Sequence, residues 1–275
     1  MRQLHVAVAQ INARAGDLAG NQQRMLRQIR SAAAVGVEVI LFAETCMHAY
    51  DLAPETLALA EPLGGPLTRQ LTAWAREYRL AILAGFWERD GERIYNSHAV
   101  ARPHGSLGVQ RKHNITPPEI EAGISAGPRE RTVFEFNGVR TAVIICSDSG
   151  IEGLSDDLRG QRIKFRFCPT AGGGIIGDKP IPYLHETELA DPANRETYHT
   201  YRGYVCITKP SMSEEECPVC GFAAANAMGF DGRGVTHMGH CIIVDNHRVL
   251  RAQIPGTNVI EHHQDQMVHA VLNFA

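Results

Sequence analysis

No stretch of this 275-residue chain approaches the roughly 20 consecutive apolar residues that a membrane-spanning helix needs. The opening MRQLHVAVAQINARAG has a basic residue, but no long apolar region and no small-residue cleavage pattern before its first alternating segment. A secretory leader is therefore not expected, and a cytoplasmic location is. An excess of charge is also lacking. Lys and Arg total 27 against 30 Asp and Glu, for a net charge of −3. Nothing in that balance advertises a nucleic-acid or anionic-membrane partner. Internal repeats and low-complexity tracts are missing, as is any Pro/Gly/Ser-rich linker. A single domain over 1–275 is the simplest reading. The seven cysteines are odd in number and irregular in spacing, which fits reduced thiols better than a disulfide scaffold.

What is present is an ordinary globular composition, 44% hydrophobic and 21% charged, enough to bury a sizeable core. Short buried strands are predicted at 4–11, 37–44, 80–88, 96–102, 132–136, 140–146, 164–170, 204–208, 240–245 and 267–274. Met25, Ile29 and Ala33 recur at four-residue steps, predicting a helix over 21–36. Leu67, Leu71 and Trp74 do the same over 67–78. Asn137-Gly138 and Asp245-Asn246 each sit between two strand patterns and predict hairpins. Strands joined both by helices and by hairpins imply a mixed sheet, or two packed sheets, with helices outside.

Two near-motifs carry little. GGGIIG (172–177) spells a dinucleotide fingerprint, but Asp178-Lys179-Pro180-Ile181-Pro182 follows, where the fingerprint needs a helix. A surface or active-site loop is the better reading. Cys217 and Cys220 with His237 and His240 come close to a zinc set, but the histidines are only two residues apart. Free thiols in a loop are the competing reading. The run Glu261-His262-His263 reads as solvated.

The stretch TAVIICSDSG (141–150) passes abruptly from apolar to polar at Cys146. By position Cys146 is either a core thiol at a strand end or a nucleophile presented where the strand stops. The second role requires a lowered thiol pKa or a base to take the proton. Glu44 ends the apolar run ILFAE, where a carboxylate is costly to desolvate without a task or partner. Lys112 is followed seven residues later by Glu119 in RKHNITPPE.

Together these stretches resemble the nitrilase superfamily of carbon–nitrogen hydrolases. FAE (42–44) with Tyr50 downstream, YNSHAVARPHG (95–105), RKHNITPPE (111–119), ICSDSGIEG (145–153), CPTA (168–171) and GHCIIVDNHRVL (239–250) match its motifs in order. The chain departs from the pattern at Ser147, where the family has an aromatic residue. It departs again at Ser149-Gly150, where a pair usually includes Arg, and at His113-Asn114 and 195–205.

The resemblance implies a four-layer α-β-β-α sandwich of two mixed sheets with outer helices, pairing into at least a homodimer. It implies Glu44 as general base, Cys146 as nucleophile, Lys112 as the cation for an oxyanion beside the Ser147 N–H, and Glu119 as a second carboxylate. No metal or organic cofactor is implied. Asp148 stands two residues after the cysteine, as in the amidase and carbamoylase branches, so a small linear amide or N-carbamoyl compound is the expected substrate. A nitrile, or a non-catalytic role on the same fold, is the alternative. His48, Tyr50, Ser147, Ser149 and the loop 171–177 beginning at Ala171 are the expected substrate contacts. Small residues at 147, 149 and 150 are expected to leave room beside the nucleophile.

Overall fold

The computed structural model describes residues 2–172, 175–176, 179–180, 183–202, 221–230 and 236–274. From the amino terminus come β1 (Arg2–Gln10), α1 (Leu18–Ala34), β2 (Val39–Phe42), α2 (Pro54–Leu57) and α3 (Pro66–Tyr78). Then follow β3 (Ala81–Asp90), β4 (Arg93–Ala101), β5 (Leu107–Arg111) and α4 (Pro117–Glu121). The next stretch holds β6 (Val133–Phe136), β7 (Val139–Val143), a 3₁₀ turn at Cys146–Gly150, α5 (Leu154–Gly160) and β8 (Phe165–Thr170). Next are the two-residue strands β9 (Ile175–Ile176) and β10 (Lys179–Pro180), and then α6 (Pro192–Arg202). The chain finishes with β11 (Gly221–Asn226), β12 (Met228–Phe230), β13 (Thr236–Met238), β14 (Cys241–Val244), β15 (Leu250–Ile254) and β16 (Gln266–Phe274).

Two six-stranded sheets result, in the orders β16-β1-β2-β3-β4-β5 and β15-β14-β11-β8-β7-β6. Each is mixed. β1, β2 and β3 run parallel, which requires the crossovers α1 and α3, while β3-β4-β5 is an antiparallel meander. β7, β8 and β11 run parallel, and the β6–β7 hairpin extends the second sheet. Its turn is Asn137-Gly138, at φ +48° and +75°, the left-handed pair that a two-residue hairpin requires. The second predicted hairpin joins β14 to β15, where Asp245 Oδ1 accepts from the N–H of His247 (2.8 Å) and Val249 (2.9 Å).

The sheets pack face to face, with β1 and β2 against β8, β11 and β14. Val6, Val8, Leu41 and Phe42 from one side meet Phe165, Phe167, Ala223 and Ile243 from the other. Alanines opposite large residues let the layers interdigitate at native density. α1 and α3 cover the outside of the first sheet, and α5 covers the second through Leu154 and Leu158. This α-β-β-α sandwich is the expected architecture.

The helix predicted at 21–36 starts earlier, at Leu18, because Asp17 caps it by accepting from the Gly20 N–H at 2.9 Å. β5, α2, α4, α5 and α6 are not anticipated by periodicity, since each is too short or too polar to show a repeat. The predicted strand at 204–208 lies outside the described residues. In the GGGIIG stretch, Ile175–Ile176 pairs with Lys179–Pro180 as a small ribbon, so no helix opens there to hold a phosphate.

Candidate active site

The turn after β2 presents Glu44. The strand stops at Phe42, two residues before the predicted end, and Thr45 turns the chain at φ +46°. The turn can sit this low because β3 carries Gly85 beneath it. A Cβ at Gly85 would meet the Thr45 nitrogen at 2.1 Å and the Ala43 oxygen at 2.9 Å. Only glycine leaves that space open. The Gly85 carbonyl in turn accepts from the Met47 N–H at 3.1 Å.

Lys112 leaves β5 with its backbone N–H bonded to the Asn96 carbonyl of β4 at 2.8 Å. Its side chain is fully buried, donating to Glu44 Oε1 at 2.8 Å and to Glu119 Oε1 and Oε2 at 3.0 and 2.9 Å. Glu119 is delivered by α4, whose entry residue Thr116 gives its N–H (2.9 Å) and hydroxyl (2.8 Å) to Glu119 Oε2. Asn96 closes the cluster: its Nδ2 donates to Glu44 Oε1 and to Glu119 Oε1, both at 2.7 Å. Asn96 is a site residue that the sequence reading passed over, although it lies inside the YNS stretch used for the resemblance.

The two carboxylates share one ammonium but not one environment. Burial opposes charge on Glu119, yet Lys112, the Thr116 donors and Asn96 outweigh it and hold the group below the ordinary carboxylate value. Glu44 goes the other way: burial drives its pKa up, with Lys112 only partly opposing, and its Oε2 has no hydrogen-bond partner among the described residues. Burial also works against the Lys112 charge, but Glu44, Cys146 and Glu119 together keep it firmly protonated. Glu119 is thus a fixed anion and Glu44 a carboxyl able to exchange a proton.

Cys146 is not the last residue of β7, which ends at Val143. The chain stays extended through Ile145, with the Ile144 N–H on the Phe167 carbonyl at 2.8 Å, and Cys146 opens the 3₁₀ turn at φ +48°. A left-handed conformation is costly for a residue with a Cβ and is held here by its surroundings. The sulfur feels the charges of Glu44, Lys112 and Glu119 and receives a hydrogen bond from the Ala171 N–H. Burial first, and then Glu44, push the thiol up to about 12, so in the resting protein it carries its proton.

Beside Glu44 is a cavity of about 340 Å³, walled by Ala43, Tyr50, Ala227, Met228 and His237 among others. Tyr50 stacks edge-on to His237 at 5.7 Å, shares a hydrogen bond with Thr116, and is kept protonated by burial and the two carboxylates. His237 is a second residue the prediction did not place here. Its Nδ1 lies 3.1 Å from the Gly172 carbonyl, next to Ala171. Asn226 holds the same loop, accepting on Oδ1 from the Gly172 N–H at 2.8 Å.

His48 is not a wall of this cavity. Its Nδ1 accepts from the Trp87 N–H at 3.3 Å and its Nε2 faces the Leu59 carbonyl at 3.2 Å, so both ring nitrogens are engaged by backbone. Burial lowers its pKa to about 4, and it is a neutral support under the turn. Nor do Ser147, Ser149 and Gly150 line the cavity. The Ser147 hydroxyl donates to the Asn114 carbonyl, and the open side lies toward Tyr50.

Cys217 and Cys220 lie outside the described residues. Among the described residues no group of three or more metal-ligating side chains is found. His240 is buried ahead of β14, and burial lowers its pKa to about 4. The Glu261–His263 run is not simply solvated. His263 is buried, its Nδ1 3.1 Å from the Tyr183 hydroxyl and its Nε2 2.9 Å from the Thr257 carbonyl. Among the described residues no helix is long and apolar enough to cross a membrane.

Comparison with known proteins agrees with this architecture. The carbon-nitrogen hydrolase family model matches residues 5–186. A glutamine-dependent NAD(+) synthetase of Acinetobacter baylyi is 28% identical over 152 residues, 54% of this chain but only 28% of that enzyme. The chain thus aligns to about a quarter of the length of such synthetases. A citrullinase of Francisella tularensis is 26% identical over 236 residues, covering 76% of this chain and 82% of the citrullinase. Among solved structures, an amidase from Nesterenkonia sp. AN1 superposes with a TM-score of 0.73 at 16% identity, covering 98% of this chain and 90% of that one. That amidase was solved with an acetamide moiety added covalently to its active-site cysteine.

Proposed function

The chain belongs to the carbon-nitrogen hydrolase family, and from that premise we propose that it hydrolyses the non-peptide C–N bond of a small linear amide or N-carbamoyl compound through a thioester on Cys146. The observation that carries this reading is the split between the two carboxylates. Glu119 is held as an anion on Lys112, while Glu44 keeps a raised pKa and an oxygen without a partner.

Because the thiol rests protonated, attack requires a base at that moment rather than a standing thiolate. Glu44 takes the Cys146 proton as sulfur bonds to the carbonyl carbon. The oxyanion that forms is stabilised by the Lys112 ammonium and the Ser147 N–H. As the C–N bond breaks, Glu44 returns the proton to the departing ammonia or amine. A water molecule then attacks the thioester, Glu44 accepts its proton, and the sulfur leaves and is reprotonated. Asn96 keeps Glu44 turned toward the sulfur, and Glu119 keeps Lys112 charged. The citrullinase and amidase relatives support amide or carbamoyl substrates, as does a cavity walled largely by alanine, methionine and tyrosine.

The test is ammonia release from a panel of short amides and N-carbamoyl compounds, with intact-mass analysis of the protein. Turnover with an acyl mass on Cys146, both lost in Cys146→Ala, is expected. Undiminished turnover by Cys146→Ala refutes the reading.

A further inference from the structure

Asp148 stands two residues beyond Cys146 and is fully buried. Its Oδ1 accepts from the N–H of His113 at 3.0 Å and of Asn114 at 2.8 Å, the two residues that follow Lys112. Its Oδ2 accepts from Arg131 Nη1 at 2.6 Å, and both side chains of this pair are sealed from water, at 1% and 0% exposure. Arg131 has no freedom left. Its Nη2 donates to the Pro128 carbonyl at 2.6 Å and its Nε to the Arg129 carbonyl at 3.0 Å. A second link runs alongside, from Asn114 Nδ2 to the Ser147 carbonyl at 2.8 Å, with the Ser147 hydroxyl returned to the Asn114 carbonyl.

A buried ion pair gains little over apolar packing of the same volume, because desolvation offsets the attraction. What it does supply is fixed geometry, most of all when the guanidinium is held at three points. Here the fixed object is a joint between two chain segments far apart in sequence. One is the turn that opens with Cys146. The other is the backbone leaving Lys112. No strand pairing joins these two segments, because Lys112 follows the edge strand of one sheet and Cys146 follows an inner strand of the other.

We propose that Arg131 is a positioning residue: through Asp148 it locks the turn presenting the Cys146 sulfur to the strand end presenting the Lys112 ammonium. This rests on the reading of Cys146 as nucleophile. Arg131 lines no part of the cavity beside Glu44 and acts only through Asp148. With the lock released, the ammonium moves away from Glu44. The groups facing Glu44 are Lys112, Glu119, Cys146 and Tyr50, and Lys112 is the one cation among them. Its retreat leaves Glu44 protonated to higher pH.

The experiment is the rate of Cys146 alkylation by iodoacetamide from pH 5 to 9, read by peptide mass, in the unmodified protein and in Arg131→Met. No substrate is needed. The acid limb of the profile is expected to move up by about one pH unit, with the rate on that limb falling about tenfold. A folded R131M with an unmoved acid limb overturns the proposal. If R131M does not accumulate as folded protein, Arg131→Lys decides. It keeps a cation beside Asp148 but gives up the carbonyl bonds, so a smaller shift of the same sign is expected and an unmoved limb is again fatal. Failure of the underlying reading looks different: Cys146→Ser would still hydrolyse an amide, or the unmodified protein would be alkylated elsewhere in preference to Cys146.

Discussion

A single carboxyl decides how this site works. Glu44 is fully buried, bonded on one oxygen by Lys112 and Asn96, and without a described partner on the other. Its pKa is raised, so the ionised base is available only above the ordinary carboxylate range. The activity of the unmodified enzyme should therefore fall on the acid side at a pH higher than a solvated glutamate would give. Glu44→Gln keeps the amide-sized group and its bond from Lys112 but cannot take a proton. A loss of roughly 10²–10⁴-fold in kcat is expected. The acid limb set by Glu44 should disappear from the residual rate. Retention of that limb in E44Q would assign it to another group.

Among elements, the close approach of β3 to the Glu44 turn is the tightest constraint. Gly85→Ala places a methyl group 2.1 Å from the Thr45 nitrogen, which is backbone and cannot swing aside. The turn must lift. Overpacking of this kind costs on the order of 1–3 kcal/mol, and it displaces Glu44 from Lys112 and Asn96. G85A should melt lower and lose activity beyond what its stability loss explains, seen as a fall in kcat at a temperature where circular dichroism shows a folded protein. The β6–β7 hairpin was legible because its turn chemistry is local: Asn-Gly admits two left-handed residues almost anywhere. The positive φ of Cys146 was not legible. Nothing in a cysteine favours it, and it is imposed by the extended segment before it and by Asp148 after it.

At the scale of the whole molecule, three buried histidines bear on acid stability. Burial lowers His48 and His240 to about 4 and His98 to about 3, from an ordinary 6.5. A depressed pKa contributes stability that is complete above the unfolded value and is lost as pH falls through the folded one. The urea midpoint should hold from pH 8 to about 6.5 and then decline toward pH 4. His98→Gln should flatten that decline, and an equal slope in H98Q would remove His98 from the account. Assembly into at least a pair is proposed from the family resemblance. Sedimentation equilibrium is expected to give a mass at least twice the 30.2 kDa of one chain, and a monomer at micromolar concentration would contradict it.

The amino-acid sequence by itself determined the strands, the hairpins and the separate strand ends carrying Glu44, Lys112, Glu119 and Cys146. Those features are written in local periodicity, turn residues and abrupt changes of polarity, each readable within about ten residues. Only the tertiary structure decided which carboxylate holds a charge and which exchanges a proton. It also turned His48 away from the cavity, and brought Asn96, His237 and Arg131 to the site. The reason is physical. A pKa, a hydrogen-bond partner and a wall of a cavity are properties of neighbours across two packed sheets, and those neighbours lie tens to more than a hundred residues apart along the chain.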